Sequence, residues 1–145
     1  MAQYADVVLS SGTTPTNIVC FNNSLVDIAK GYGVLYETVA GYPRAVKLPG
    51  AGDAVVRAAG VTAEIIPAGG YGKVTVNGPA IAFAGGVLTT GAKVMIGSVA
   101  GHLGECIVTV VTATSEELGH VLQASAADGD KFEIFVNIHT LPKAA

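Results

Sequence analysis

The stretch Asp128-Gly129-Asp130-Lys131-Phe132-Glu133-Ile134-Phe135-Val136-Asn137-Ile138-His139 decides the fold class. Phe132, Ile134, Val136 and Ile138 alternate with Lys131, Glu133, Asn137 and His139, and only Phe135 breaks the pattern. A period of two puts alternate side chains on opposite faces of an extended chain, so the segment predicts a half-buried β-strand. Asp128-Gly129 supplies a turn before it, because glycine takes positive φ without steric cost. Across that turn stands Gly119-His120-Val121-Leu122-Gln123-Ala124, and the two runs together predict a β-hairpin.

The same vocabulary extends upstream. Lys73-Val74-Thr75-Val76-Asn77 alternates between Gly72 and the breaker Gly78-Pro79. Further β-forming runs cover residues 33–37, 44–48, 61–66, 80–83 and 91–96, and glycine punctuates them about every 8–12 residues, the spacing of a sandwich or small barrel. Residues 105–113 are nearly continuous in β-formers, which predicts a strand covered on both faces. Thr114-Ser115-Glu116-Glu117 reads as a polar connection or a single helical turn. Residues 53–59 suit either two helical turns with Asp53 as N-cap or, given Val55-Val56, a strand. Ser10-Ser11-Gly12-Thr13-Thr14-Pro15-Thr16-Asn17 is polar and breaker-rich. The expectation is an all-β chain. Residues 1–27 form an extended N-terminal arm or irregular lead-in, ordered on contact with a partner. Residues 28–145 form a single compact β-barrel or β-sandwich of short strands with at most one short helix.

Composition narrows the function. Half of the 145 residues are apolar but only 13% are charged, against a usual ~25%. That apolar content excludes intrinsic disorder. A net charge of -3 gives no reason to expect nucleic acid as partner. No uninterrupted apolar run reaches the ~18 residues of a membrane span, so no membrane partner is expected. The first basic residue is Lys30, so the start lacks the cationic region of a secretory signal and synthesis in the cytoplasm is expected. Charge also divides along the chain, with net -2 over residues 1–27, +3 over 28–93 and -4 over 94–145. Such segments suit either a subunit interface or ordinary solvated surface. A charge-poor surface implies that part of it is covered by something else.

Chemical motifs are missing. Gly97-Ser98-Val99-Ala100-Gly101 has the wrong spacing for a nucleophile elbow. Gly72-Lys73 is followed by Val74 rather than the hydroxyl residue of a P-loop, and Gly50-Ala51-Gly52 has Val55 where a dinucleotide fingerprint needs glycine. Cys20 and Cys106 have no metal or redox spacing and read as buried, reduced thiols. Asn22-Asn23-Ser24 matches a glycosylation sequon by accident. His102, His120 and His139 share no helical or strand spacing, so a metal site would have to be assembled from distant strands. Glu116-Glu117 and Asp128-Gly129-Asp130 pair acids in solvated segments, which keeps their pKa values alike, and Asp128-x-Asp130 lacks the oxygen-rich loop that calcium needs. Tyr32, Tyr36, Tyr42 and Tyr71 have no basic groove beside them and read as packing or a protein interface. No catalytic, cofactor-binding or metal-binding residue is assigned, and no cofactor is expected.

A set of segments from residue 31 onward carries a family resemblance. They are Gly33-Val34-Leu35-Tyr36, Ile66-Pro67-Ala68-Gly69-Gly70-Tyr71-Gly72-Lys73-Val74-Thr75-Val76-Asn77-Gly78 and Thr89-Thr90-Gly91-Ala92-Lys93-Val94. Leu118-Gly119-His120-Val121-Leu122-Gln123-Ala124 and Gly129-Asp130-Lys131-Phe132-Glu133-Ile134-Phe135-Val136 complete it. This pattern resembles the small capsid decoration (cement) proteins of tailed bacteriophages. The resemblance covers about three quarters of the chain and implies a compact β domain with no catalytic residues. It also implies a homotrimer on the outer surface of the virion that clamps adjacent major capsid protein subunits. The first 30 or so residues are longer and more polar than that family's lead-in, so no role carries over to them.

The charge-poor composition agrees, because a cement protein buries surface against itself and against the shell. A trimer docking at three points also gains avidity from weak single contacts. Two other readings stand beside it. Clustered exposed tyrosines with polar neighbours would favour a head-displayed carbohydrate- or host-surface-binding β domain of adhesin or fibre type. A deep cleft gathering His102, His120 or His139 with an acid would favour a small β-barrel enzyme, although the expectation is that the chain is not one.

Overall fold

A computed structural model describes residues 14–52, 57–109 and 116–140 of the chain. Its elements are β1 (Thr16–Asn22), β2 (Gly33–Val39), β3 (Tyr42–Lys47), β4 (Ala58–Thr62), β5 (Tyr71–Phe83), β6 (Lys93–Ile96), β7 (Cys106–Val108), β8 (Glu116–Gln123) and β9 (Lys131–Thr140). The fold is all-β. No helix among the described residues is long and apolar enough to cross a membrane.

All nine strands belong to one sheet, in the order β1-β3-β2-β4-β5-β9-β8-β6-β7, and β1 also pairs with β5. That extra pairing closes β1, β3, β2, β4 and β5 into a five-stranded ring. The ring is antiparallel except for β1 and β3, which run parallel with Phe21 opposite Ala45. From β5 the sheet continues outward through β9, β8, β6 and β7, all antiparallel. The molecule is thus a small barrel with a sheet extending from one stave.

Period-two patterning explains why two cores form. Cys20, Val34, Val46, Ala59 and Val74 point into the barrel, and Ile28 and Ile66 join them. Ile28 and Ile66 form an isolated antiparallel bridge between the loops that follow β1 and β4, closing that end of the barrel. Interior residues of this modest size suit a ring of only five staves, whose lumen has room for little more than a layer of side chains. Leu35, next to Val34 on β2, and Val61, two residues beyond Ala59 across the register irregularity at Gly60, face out of the barrel into a second core with Val94, Ile96, Leu118, Phe132, Ile134 and Val136. β4 is therefore buried at all five positions, which suits its small side chains, and its one hydroxyl, Thr62 Oγ1, donates to Ala29 O at 2.8 Å. Gly60 on β4 sits at φ +151°, and a Cβ there would collide with the Thr75 carbonyl oxygen. The barrel closes at that point only because the residue is glycine.

Several boundaries differ from those expected. The hairpin of β8 and β9 forms as anticipated, but β8 begins at Glu116, so Glu116-Glu117 is strand rather than connection. Residues 114 and 115 lie outside the described residues. Lys73–Asn77 and 80–83 are one continuous strand, β5. Gly78 at φ +102° lets that strand bend from the barrel, where its partners are β1 and β4, toward β9. The expected doubly covered strand at 105–113 is a three-residue edge, β7, which pairs with β6. Residues 110–113 lie outside the described residues, as do 53–56 of the possible helix, while Ala58 and Ala59 belong to β4.

The arm boundary at residue 27 also shifts. Thr16–Asn22 is a stave of the barrel and contributes Cys20 to its interior. The short alternation of Ile18 and Cys20 was hidden by the polar residues before it. Residues 1–13 of the expected arm lie outside the described residues. Within β9, Glu133 is fully buried although the alternation assigns it to the wet face. It stands between Ile81 of β5 and Gln123 of β8, in the middle of the sheet.

Candidate functional site

At the closed end of the barrel, β1 ends on Asn22, which is fully buried. Its amide nitrogen donates to Val26 O at 2.8 Å and to Ile66 O at 3.0 Å. Its Oδ1 accepts from Ser24 N at 2.9 Å and from Ser24 Oγ at 2.7 Å. The neighbouring Asp27 accepts from Ala68 N at 3.0 Å. A buried amide is tolerated only when its donors and acceptor are paired, and here the pairing dictates the shape of two loops. The 23–27 loop is folded back on Asn22 and tied to the loop over residues 65–70. With its nitrogen engaged and enclosed, Asn22 is no glycan acceptor.

The result is a rigid support for apolar tips. Leu25 is 97% exposed, and Val26 and Ile65 are also largely exposed. Of the nine large hydrophobic residues exposed among the described residues, Leu25, Val26, Ile65, Val87 and Val99 lie in loops. Exposed apolar side chains therefore lie at loop tips at least as much as on strands. Beside the tips, Val26, Ile28, Glu37, Lys47 and Leu48 line an open hollow of about 330 Å³.

A second feature lies on the outer face of β1, β3 and β5. Phe21 stacks on Tyr42 with ring centroids 4.1 Å apart and planes 7° from parallel. Tyr71, directly opposite Phe21 in the ladder, meets the same ring at 5.1 Å and 52°. Phe21 is buried between the two tyrosines, which stay 42% and 56% exposed. Arg44 donates from Nε to Val19 O at 2.7 Å and adopts φ +58°, an unusual conformation for a side chain other than glycine. Its hydrogen bond fixes the guanidinium beside Tyr42, where both residues line an open groove of about 460 Å³ with Glu37. The arrangement offers two aromatic surfaces, a cation and a carboxylate on one face.

The four tyrosines thus separate. Tyr42 and Tyr71 share the patch, Tyr36 packs against the barrel core, and Tyr32 stacks on Phe83 at 5.0 Å. Strand register brings Phe21 between the patch tyrosines, and pairing of β1 with β5 across 50 residues of sequence leaves no local signal of it.

The histidines separate as well. His120 stacks on Phe135 at 5.5 Å, and His139 stands in β9 opposite Glu117. His102 meets two acids. Its Nδ1 lies 2.7 Å from Glu105 Oε1 and 3.2 Å from Asp128 Oδ2. Glu105 is buried, and burial raises its pKa foremost, with the His102 hydrogen bond pulling the other way. His102 and Asp128 are about half exposed, so the group lies at the surface rather than in a deep cleft. Asp130 instead turns inward on its own loop, accepting from Ala127 N at 3.1 Å, so Asp128 and Asp130 do not act as a calcium pair. Cys20 and Cys106 are buried free thiols. Burial pushes Cys106 up to about 12 and Cys20 to about 11, so both are neutral and unreactive near neutral pH.

No protein-family model matches the sequence, and no curated protein matches it. Among solved structures, the chain is similar to the head fiber gp8.5 N base of bacteriophage phi29. That likeness has a TM-score of 0.58 at 11% sequence identity and covers 86% of this chain and 95% of the other. At this identity the likeness is one of fold.

Proposed function

We propose that the chain is a structural protein of a bacteriophage head, attached to the outer surface of the capsid. The observation that carries this reading is the shared fold with the phi29 head fiber base, which spans nearly the whole of that chain. The resemblance of the glycine-punctuated strands to cement proteins points the same way from the sequence side. In this reading the barrel is a platform and the chain has no catalytic role. The loops at 23–27 and 65–70 face the shell, where Leu25, Val26 and Ile65 desolvate against major capsid protein subunits. Three copies clamp adjacent subunits, and the avidity of three footholds compensates for the small area of each.

The test is co-sedimentation of purified protein with expanded capsids that lack it, together with light scattering of the free protein. Saturable binding by a species of three times the chain mass supports the clamp. A monomer that fails to pellet with capsids sinks it.

The stacked Phe21–Tyr42 pair with Tyr71 and Arg44 favours a second reading, a head-displayed domain that binds carbohydrate or a host surface. Exposed aromatic faces beside paired charges suit sugar rings, which present apolar C–H faces and hydroxyl edges. A glycan array separates the readings, since a pure cement protein gives no glycan signal and a Tyr71→Ala variant abolishes any that depends on the patch.

A further inference from the structure

The cluster of His102, Glu105 and Asp128 calls for its own explanation, because residues 102–105 and 128 come from separate segments. The backbone brings them together through the end of β5. Ala84 N donates to Asp130 O at 2.8 Å and Gly129 N donates to Ala84 O at 2.7 Å, which seats the turn carrying Asp128. The next residue, Gly85, donates to Cys106 O at 2.8 Å, which seats the segment carrying Glu105. On the other side Gly97 N donates to Glu105 O at 2.7 Å. A Cβ at Gly85 would come within 2.9 Å of Ile107 Cγ2, and one at Gly97 within 2.9 Å of Glu105 O. Two glycines therefore allow the close approach that holds Glu105 facing Asp128.

The donor chemistry is that of a cation site. One imidazole nitrogen and two carboxylate oxygens lie within 4.8 Å of one another, the one such group of three among the described residues. Ligands on an ion with bonds of about 2.0–2.1 Å stand about 2.9–3.4 Å apart for octahedral or tetrahedral geometry. The separations of 2.7 and 3.2 Å from Nδ1 need to change by only a few tenths of an ångström. Nδ1 faces two acceptors, so without an ion it carries a proton and donates to Glu105 Oε1, and a metal ion would take the place of that proton. Glu105 supplies the buried ligand of the three: its side chain is nine-tenths buried and its Oε1 meets His102 Nδ1, which Asp128 also approaches. A mixed imidazole–carboxylate set suits a borderline ion such as zinc better than calcium, which takes oxygen ligands.

We propose that His102, Glu105 and Asp128 form a zinc-type divalent metal site that pins the 97–105 loop to the turn between β8 and β9. Three protein ligands leave a coordination position for water or for a group from a partner. The role is that of a clip at the outer sheet, away from the barrel end that presents Leu25, and the proposal stands independently of the capsid reading.

The experiment is calorimetric titration of the full, untagged chain with zinc chloride, after chelator treatment. One ion per chain is expected, with a Tm rise of about 5–10 °C at a zinc concentration about 100 times Kd. Cobalt binding should give visible absorption bands characteristic of a nitrogen- and oxygen-ligated ion. His102→Ala and Asp128→Asn change half-exposed residues and should fold. Each should weaken zinc binding by more than the roughly 10–100-fold that loss of an outer-shell partner costs. His120→Ala should leave binding unchanged. No zinc binding, binding that survives both His102→Ala and Asp128→Asn, or tighter binding of calcium than of zinc would each overturn the assignment.

Discussion

Replacing Asn22 by alanine tests whether the barrel end is built on one buried amide. The change removes four hydrogen bonds, two donated to Val26 O and Ile66 O and two accepted from Ser24. Each such bond contributes about 0.5–1.5 kcal/mol net. Ile66 O keeps a partner in Ile28 N at 2.9 Å, and Ser24 is exposed enough to turn to water, so no deep orphan is created. The expected loss is then about 2–4 kcal/mol. With a urea slope of about 2 kcal/mol/M, the midpoint falls by about 1–2 M with the slope unchanged. Ser24→Ala, which removes only the hydroxyl contacts, should cost about 1 kcal/mol. Hydrogen exchange at the Ser24 amide reads the loop directly, and its protection should collapse in Asn22→Ala while Val136 on β9 keeps the higher protection of the core. A loss under about 0.5 kcal/mol, or Ser24 protection unchanged, would refute the claim that Asn22 shapes the loop.

Other outcomes follow from single features. Gly60→Ala must displace the Thr75 carbonyl and strain φ, so it should cost about 3 kcal/mol or more, whereas Gly86→Ala, in open space, should stay within about 0.5 kcal/mol in the same urea assay. The Cys106 thiol has its pKa raised by burial from 9.0 to about 12, so the folded state holds a proton that the unfolded state has released. Its contribution is fully present below pH 9 and is lost as pH climbs from 9 toward 12, visible as a fall in urea midpoint that Cys106→Ala makes shallower, the remainder being the share of Cys20, which is raised to about 11. Native protein at pH 8 should leave both thiols unmodified by a disulfide reagent until denaturant is added. Leu25→Asp with Val26→Asp should change stability by less than about 0.5 kcal/mol, since both side chains are exposed, yet abolish capsid pelleting.

The strand content was legible because alternation survives wherever one face is wet. β9 and the first half of β5 are recognisable for that reason, although Glu133 and Thr75 are buried where the alternation expects a wet face. Strands buried on both faces lose alternation, and β4, with Ala58-Ala59-Gly60-Val61-Thr62, was half missed. Gly78-Pro79 looked like a strand end because breakers mark both loops and bends, and only the change of partners along β5 tells them apart. Closure of the barrel depends on β1 pairing with β5, a contact between segments about 50 residues apart that no local pattern encodes. The same holds for His102 with Asp128 and for Tyr42 with Tyr71. The first pair is made by backbone bonds between two loops, with Gly85 and Gly97 at the close approaches, and the second by the pairing of β1 with β3 and β5. The charge deficit gives exposed apolar surface no position, and Leu25 and Val26 are recognised as exposed only once Asn22 is seen to hold their loop.

The central claim is that this barrel sits on the outside of a phage head with its Asn22-supported loops against the shell. Cryo-electron microscopy of capsids incubated with the protein, compared with bare capsids, tests it most directly. The account predicts added density on the outer surface at symmetry-related positions, shaped as a β-barrel with residues 23–27 and 65–70 touching major capsid subunits. Maps identical with and without the protein, or density meeting the shell only through the sheet of β6 and β7, would contradict it.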